Sequence, residues 1–155
     1  MQRRLEYGQA APGAMRAMYA LQKYVEKSGL ERSLLELIKT RASQINGCAY
    51  CIDMHTKDAR ALGESEQRLY ALAAWRETPF YTERERAALA WTEAITLISQ
   101  GHAPDEVFEQ ARTQFTEEEL VNLTMAIVAI NGWNRLVIGF REVPGTYQPQ
   151  SSGNK

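Results

Sequence analysis

Residues 36–63 read Glu36-Leu-Ile-Lys-Thr-Arg-Ala-Ser-Gln-Ile-Asn46-Gly47-Cys48-Ala-Tyr50-Cys51-Ile-Asp-Met-His55-Thr-Lys-Asp-Ala-Arg-Ala-Leu-Gly63. The stretch holds both cysteines of the chain and one of its two histidines. Asn46-Gly47 predicts a turn, because both residues tolerate positive φ. One helix therefore ends near Ile45 and a second begins near Cys48. On the second helix Cys48 and Cys51 are i,i+3, and Cys51 and His55 are i,i+4. At about 100° per residue the three share one face.

A helix start presents unpaired N–H groups and the positive end of the helix dipole, which favour an anion. A thiolate there has a lowered pKa, and Cys-x-x-Cys spacing lowers it further. An imidazole alongside can hold or relay the thiol proton near neutral pH. Two sulfurs at this spacing can also join as a disulfide. The arrangement suits thiol–disulfide exchange or peroxide reduction. A zinc site is the competing reading of cysteine and histidine at short spacing. Only Glu36 is available as a fourth ligand, and the chain has no second Cys-x-x-Cys.

Outward from this stretch the chain reads as helix after helix. Upstream, a helix over 31–45 has an apolar stripe of Leu34, Leu35, Ile38, Ala42 and Ile45. Its helical wheel places Glu36 on the opposite, solvated side, near Thr40 and Ser43. Before it, residues 1–13 look irregular, and Met15, Met18, Tyr19, Gln22 and Val25 line one helix face closed by Ser28-Gly29. Downstream, the cysteine helix runs to Leu62 with Gly63 as its stop, its polar side formed by Asp53, Lys57, Asp58 and Arg60. A helix from Ser65 precedes Pro79. Thr82-x-x-Glu85 is a capping box, and its helix ends near Gly101. Pro104 suits the first turn of a short helix, beside an exposed His102. Thr116-x-x-Glu119 is a second capping box, with Phe115 and Leu120 placed as a hydrophobic staple. The last helix is strongly apolar from Leu120 to Phe140. Asn131-Gly132 is a candidate kink, and Trp133-Asn134-Arg135 inserts polar groups whose plainest role is a satisfied core or subunit contact. Tyr50 and Trp75 are candidates to line an apolar pocket. No strand-like alternation stands out, so the fold class is all-α. Residues 1–142 form one helical domain, and 143–155, rich in proline, glycine and serine, form a loose tail.

The 155 residues suffice for one domain with its own core, and a net charge of -1 implies no basic surface for nucleic acid. No apolar run approaches the ~20 residues of a membrane span, and the N-terminus has no apolar signal region, so no membrane partner is expected. Two close cysteines without an export signal point to the cytoplasm and a redox or metal role rather than a structural staple. The apolar load on nearly every helix predicts a homo-oligomer.

Glu36, eleven intervening residues, Cys48-x-x-Cys51, three residues and His55 together resemble the core of the alkyl hydroperoxide reductase D (AhpD) proteins, within the carboxymuconolactone decarboxylase family. The run Asn46-Gly47-Cys48 and the Tyr50-Cys51 pair add to the likeness. It is densest over residues 30–75, and Tyr50 stands where many members carry a histidine. The resemblance implies an oligomeric multi-helix fold, a trimer or a hexamer of trimers, and an alkylhydroperoxidase activity. It assigns Cys51 as the peroxidatic thiol and Cys48 as the resolving one, with Glu36 and His55 as a proton relay. Helix-dipole reasoning alone favours Cys48, nearer the helix start. The resemblance implies no flavin, haem or metal, and a lipoyl-type or other dithiol as external reductant. The rival readings are a lyase like the decarboxylase that names the family, which does not depend on a Cys-x-x-Cys pair, and a non-catalytic oligomeric redox sensor.

Overall fold

The computed structural model of the chain describes residues 2–149. Among these residues there are helices and no strands: α1 (Tyr7–Ala10), α2 (Pro12–Glu26), α3 (Arg32–Asn46), α4 (Ala49–Ala61), α5 (Glu66–Ala71), a 3-10 segment (Leu72–Glu77), α6 (Glu83–Thr96), α7 (Ile98–Gly101), α8 (Asp105–Arg112) and α9 (Glu117–Phe140).

Local chemistry sets the helix ends. Thr82 accepts from the Glu85 N–H, and the Glu85 carboxylate accepts from the Thr82 N–H at 2.8 Å. Thr116 and Glu119 repeat this reciprocal pair at the start of α9. Each closes two of the orphan donors of a helix start and is worth about 1 kcal/mol. Phe115 and Leu120 flank the second box and are buried in the same cluster, as a staple requires.

α3 is the hub, packing against α4, α6 and α9. Its Leu34, Leu35 and Ile38 enter one core with Ala88 and Trp91 of α6 and Leu123 and Ile127 of α9. Its Leu37 enters a second core with Leu72, Trp75, Tyr81 and Leu89. Fully buried leucines and isoleucines such as Leu37, Ile38, Leu72, Leu89, Leu123 and Ile127 each contribute about 1.5–3 kcal/mol. A helix packed on several sides has little solvated face left.

Several expectations are corrected. Residues 1–13 are not wholly irregular: α1 lies within them, and Pro12 opens α2, where its fixed φ and missing N–H cost nothing. The helix from Ser65 gives way to 3-10 turns at Leu72, with a kink at Ala74 (φ -118°, ψ 32°) inside them. The helix from Thr82 breaks at Leu97 into α6 and α7. Pro104 is the residue before α8 rather than within its first turn. α9 runs unbroken through Asn131-Gly132. Gly132 instead serves close approach of α2, since a Cβ there would lie 3.0 Å from Met18 Cε. Against the expectation of no span-length apolar run, α9 is long and apolar enough to cross a membrane by length and composition. In this fold it packs against α2, α3, α6 and α8. The segment 143–149 is irregular but tied to α4 by hydrogen bonds at Gly145 and Tyr147, one of them donated by Lys57 of α4. The rest of the expected tail, 150–155, lies outside the described residues.

Candidate redox site

The junction between α3 and α4 is two residues wide, Gly47 and Cys48. α3 closes on Gly47 in the left-handed region (φ 69°, ψ 31°), with the Cys48 N–H on the Ser43 carbonyl at 2.9 Å. This is the paired helix ending that glycine allows at no steric cost. Cys48 ends that motif and is also the N-cap of α4, its Sγ accepting from the Cys51 N–H at 3.4 Å. It lies one residue before the helix, where the spacing had placed it inside.

Side chains pin the turn to α9. Asn46 Nδ2 donates to Asn131 Oδ1 at 2.9 Å and to Asn134 Oδ1 at 2.8 Å. Asn134 Nδ2 donates in turn to Ser43 Oγ at 3.1 Å. Asn134 is fully buried, so its polar role is the satisfied core contact expected of it. Trp133 packs at a tilt against Tyr19 with ring centroids 5.2 Å apart, and Arg135 is exposed.

Cys48 and Cys51 lie at disulfide distance, with Cα atoms 5.4 Å apart. They are 0% and 1% exposed, packed with Val137 of α9 and with Tyr50. His55 follows one turn along the same face and is buried. Its Nδ1 lies 2.8 Å from Glu36 Oε2, while Glu36 Oε1 accepts from Lys39 Nζ at 2.7 Å. The wheel position of Glu36 is therefore corrected: its side chain is only 12% exposed and sits between α3 and α4. Burial alone would raise the Glu36 pKa. The hydrogen bond from His55 and the charge of Lys39 outweigh burial and bring it down to about 2. An ionised carboxylate can only accept, so the His55 proton resides on Nδ1 and Nε2 is the acceptor of the neutral ring.

Two site residues escaped the sequence reading. Lys39 is buried against Glu36, with no signal beyond being i+3 from it. Asp58 was placed on the solvated side, yet it continues the Cys48–Cys51–His55 stripe as i+7 from Cys51, a spacing that could have found it. Its Oδ1 accepts from the Tyr147 hydroxyl at 2.7 Å. Burial and then this bond raise the Tyr147 pKa above the ordinary phenol range. Glu36, His55 and Asp58 each offer an atom within 4.8 Å of the others, the one group among the described residues that could hold a metal ion. Neither cysteine belongs to it, unlike the zinc set considered from spacing. Asp53 and Lys57 form the expected local pair at 2.9 Å. Trp75 lies in the second core, its Nε1 donating to Glu93, and His102 is exposed with φ 55°. Neither joins the site.

The carboxymuconolactone decarboxylase family model matches residues 12–94. The uncharacterized protein YdfG of Bacillus subtilis (strain 168) is 49% identical over 138 residues, covering 89% of this chain and 94% of that one. The crystal structure of ATU0492 from Agrobacterium tumefaciens, a protein of unknown function offered as an AhpD-type antioxidant defence protein, is 49% identical. It superposes with a TM-score of 0.91 over 94% of this chain and 100% of that one. The debrominase Bmp8 shares the fold at a TM-score of 0.80 and 23% identity, over 89% of this chain and 74% of its own. A helical hub, a Cys-x-x-Cys helix start and these likenesses agree: the chain belongs to the carboxymuconolactone decarboxylase family and has its AhpD-like core.

Proposed function

We propose that the protein is a thiol-dependent peroxidase that reduces a hydroperoxide to an alcohol and forms the Cys48–Cys51 disulfide. One observation carries the reading: two cysteines at disulfide distance open α4, one helical turn from an imidazole whose Nδ1 is held by an ionised glutamate. His55 Nε2 takes the proton of Cys51, one turn away on the same face. The Cys51 thiolate attacks one peroxide oxygen, the O–O bond breaks, and the alkoxide leaves as alcohol with the proton carried by His55. Cys51 becomes a sulfenic acid. Cys48 attacks its sulfur, and a water leaves as the disulfide forms. Glu36 stays ionised throughout, orienting the ring and stabilising its charged form rather than giving up a proton.

An external dithiol of lipoyl type returns the pair to thiols, and no resident cofactor takes part. The reading includes a cytoplasmic homo-oligomer, a trimer or a hexamer of trimers. Exposed Tyr24, Val121 and Val128, on α2 and α9, support self-association. Burial of both sulfurs means that a peroxide reaches them only when the cover provided by Tyr50 and its neighbours opens.

The test is steady-state consumption of several peroxides with dihydrolipoyl compounds as reductant. Turnover that requires both cysteines supports the reading. Oxidation of the pair once, without turnover, identifies a redox sensor. Decarboxylation of a lactone acid without dependence on either thiol identifies a lyase.

A further inference from the structure

The segment after α9 returns along α4 and is pinned at three points. The Gly145 N–H donates to Asp53 Oδ2 at 3.2 Å, Lys57 Nζ donates to the Tyr147 carbonyl at 3.1 Å, and the Tyr147 hydroxyl donates to Asp58 Oδ1 at 2.7 Å. The first two bonds use backbone atoms of the segment, so they do not depend on the side chain at 147. The third requires a phenol.

Asp58 needs an explanation of its own. It is a second carboxylate beside the Glu36–His55 pair, with one buried ammonium, Lys39, on the far side of Glu36. Left uncompensated, it would compete with Glu36 for the imidazole proton. It would also add negative potential at a site that must hold a thiolate. We propose that Tyr147 is a positioning residue of the redox site, whose hydroxyl holds the Asp58 carboxylate so that Glu36 alone engages His55. The phenol keeps its proton, as its raised pKa indicates, and so donates throughout the working pH range. The C-terminal segment thereby completes the site from outside the Glu36–His55 motif. The inference rests on the redox reading of the cysteine pair, and its test is separate from peroxidase turnover.

The experiment follows alkylation of the reduced cysteines by iodoacetamide against pH, read by mass spectrometry. It compares the full chain with Tyr147→Phe, Asp58→Asn and the double variant. The charged groups beside the imidazole are Glu36 from α3 and Asp58 from α4, with Lys39 bonded to Glu36 and Tyr147 of the C-terminal segment bonded to Asp58. Asp58→Asn moves the alkylation midpoint down, by less than about one pH unit, because Asp58 lies two helical turns along α4 from Cys51. Tyr147→Phe moves it up by a smaller amount, because the carboxylate freed of its donor adds negative potential at the thiol. The double variant follows Asp58→Asn. A midpoint unchanged by Tyr147→Phe would show that the residue only packs. A Tyr147→Phe shift that persists in the Asp58→Asn background would show that it acts by another route. Alkylation uses no peroxide, so either result stands whether or not the protein proves to be a peroxidase.

Discussion

Replacing Glu36 by glutamine removes one charge from a nearly closed cluster, and its cost depends on pH in a way the geometry fixes. Burial opposes the charge, but His55 and Lys39 prevail, and the carboxyl pKa falls from 4.5 to about 2. That depression is worth about 3 kcal/mol of folding stability, at roughly 1.4 kcal/mol per unit. Solvent screening discounts little of it, since the side chain is 12% exposed. The folded pKa lies below the unfolded one. The contribution is therefore complete above the unfolded value of 4.5 and lost as pH falls through about 2. Near pH 3 somewhat under half of it remains. The glutamine variant has no such contribution and leaves the Lys39 ammonium, only 6% exposed, without its countercharge. Urea unfolding of the oxidised proteins, at one fixed protein concentration, measures the difference directly. The gap between the two proteins should narrow by about 2 kcal/mol between about pH 6 and about pH 3. A gap that stays constant over that range would refute the claim that its neighbours hold Glu36 ionised.

Gly47→Ala forces a side chain into the left-handed region, and with nothing within 4 Å of the added Cβ the cost is conformational alone, about 1–2 kcal/mol in the same unfolding assay. Asn134→Ala leaves Asn46 and Ser43 short of buried partners and should cost about 2–3 kcal/mol, with faster hydrogen exchange at the Cys48 amide as the local sign. In Cys48→Ser, peroxide should leave a sulfenic acid on Cys51 that a dimedone-type trap captures, while Cys51→Ser should not react. A trapped sulfenic acid on Cys48 would reverse the assignment, in line with the Cys51 N–H that Cys48 Sγ accepts. Light scattering should give a multiple of the 17.6 kDa chain mass at micromolar concentration, and a monomer mass would remove the oligomer from the reading.

The helices that were legible in the sequence carried their own end signals. Thr82 and Thr116 with their glutamates, and the Asn46-Gly47 turn, act through neighbours in sequence, so local reading finds them. The kink at Ala74 and the break at Leu97 lack any such signal. Neither position is glycine or proline, and both keep a negative φ that any residue adopts, so nothing in the local sequence marks them. Asn131-Gly132 misled in the opposite direction. A glycine within a helix can mark a bend or a contact, and only the Met18 methyl lying against it decides for contact.

The site divides in the same way. Cys48 caps the helix that carries Cys51 and His55, and their spacing alone puts the three together. Glu36 and Lys39 lie on another, and a helical wheel knows one apolar stripe and assigns every other direction to water. α3 has cores against Leu34 and Leu37 and a third packed side against α4. On such a helix the polar residues between the stripes are enclosed, and each must find a partner or lose its charge. Glu36 finds two, a histidine across the helix pair and a lysine one turn on. The enclosure that defeats the wheel is also what gives the carboxylate its low pKa, because a solvated glutamate beside the same histidine would share its field with water. A chain with these motifs on a less enclosed hub would keep its cysteines and lose the fixed tautomer of His55, and with it the nitrogen that takes the thiol proton.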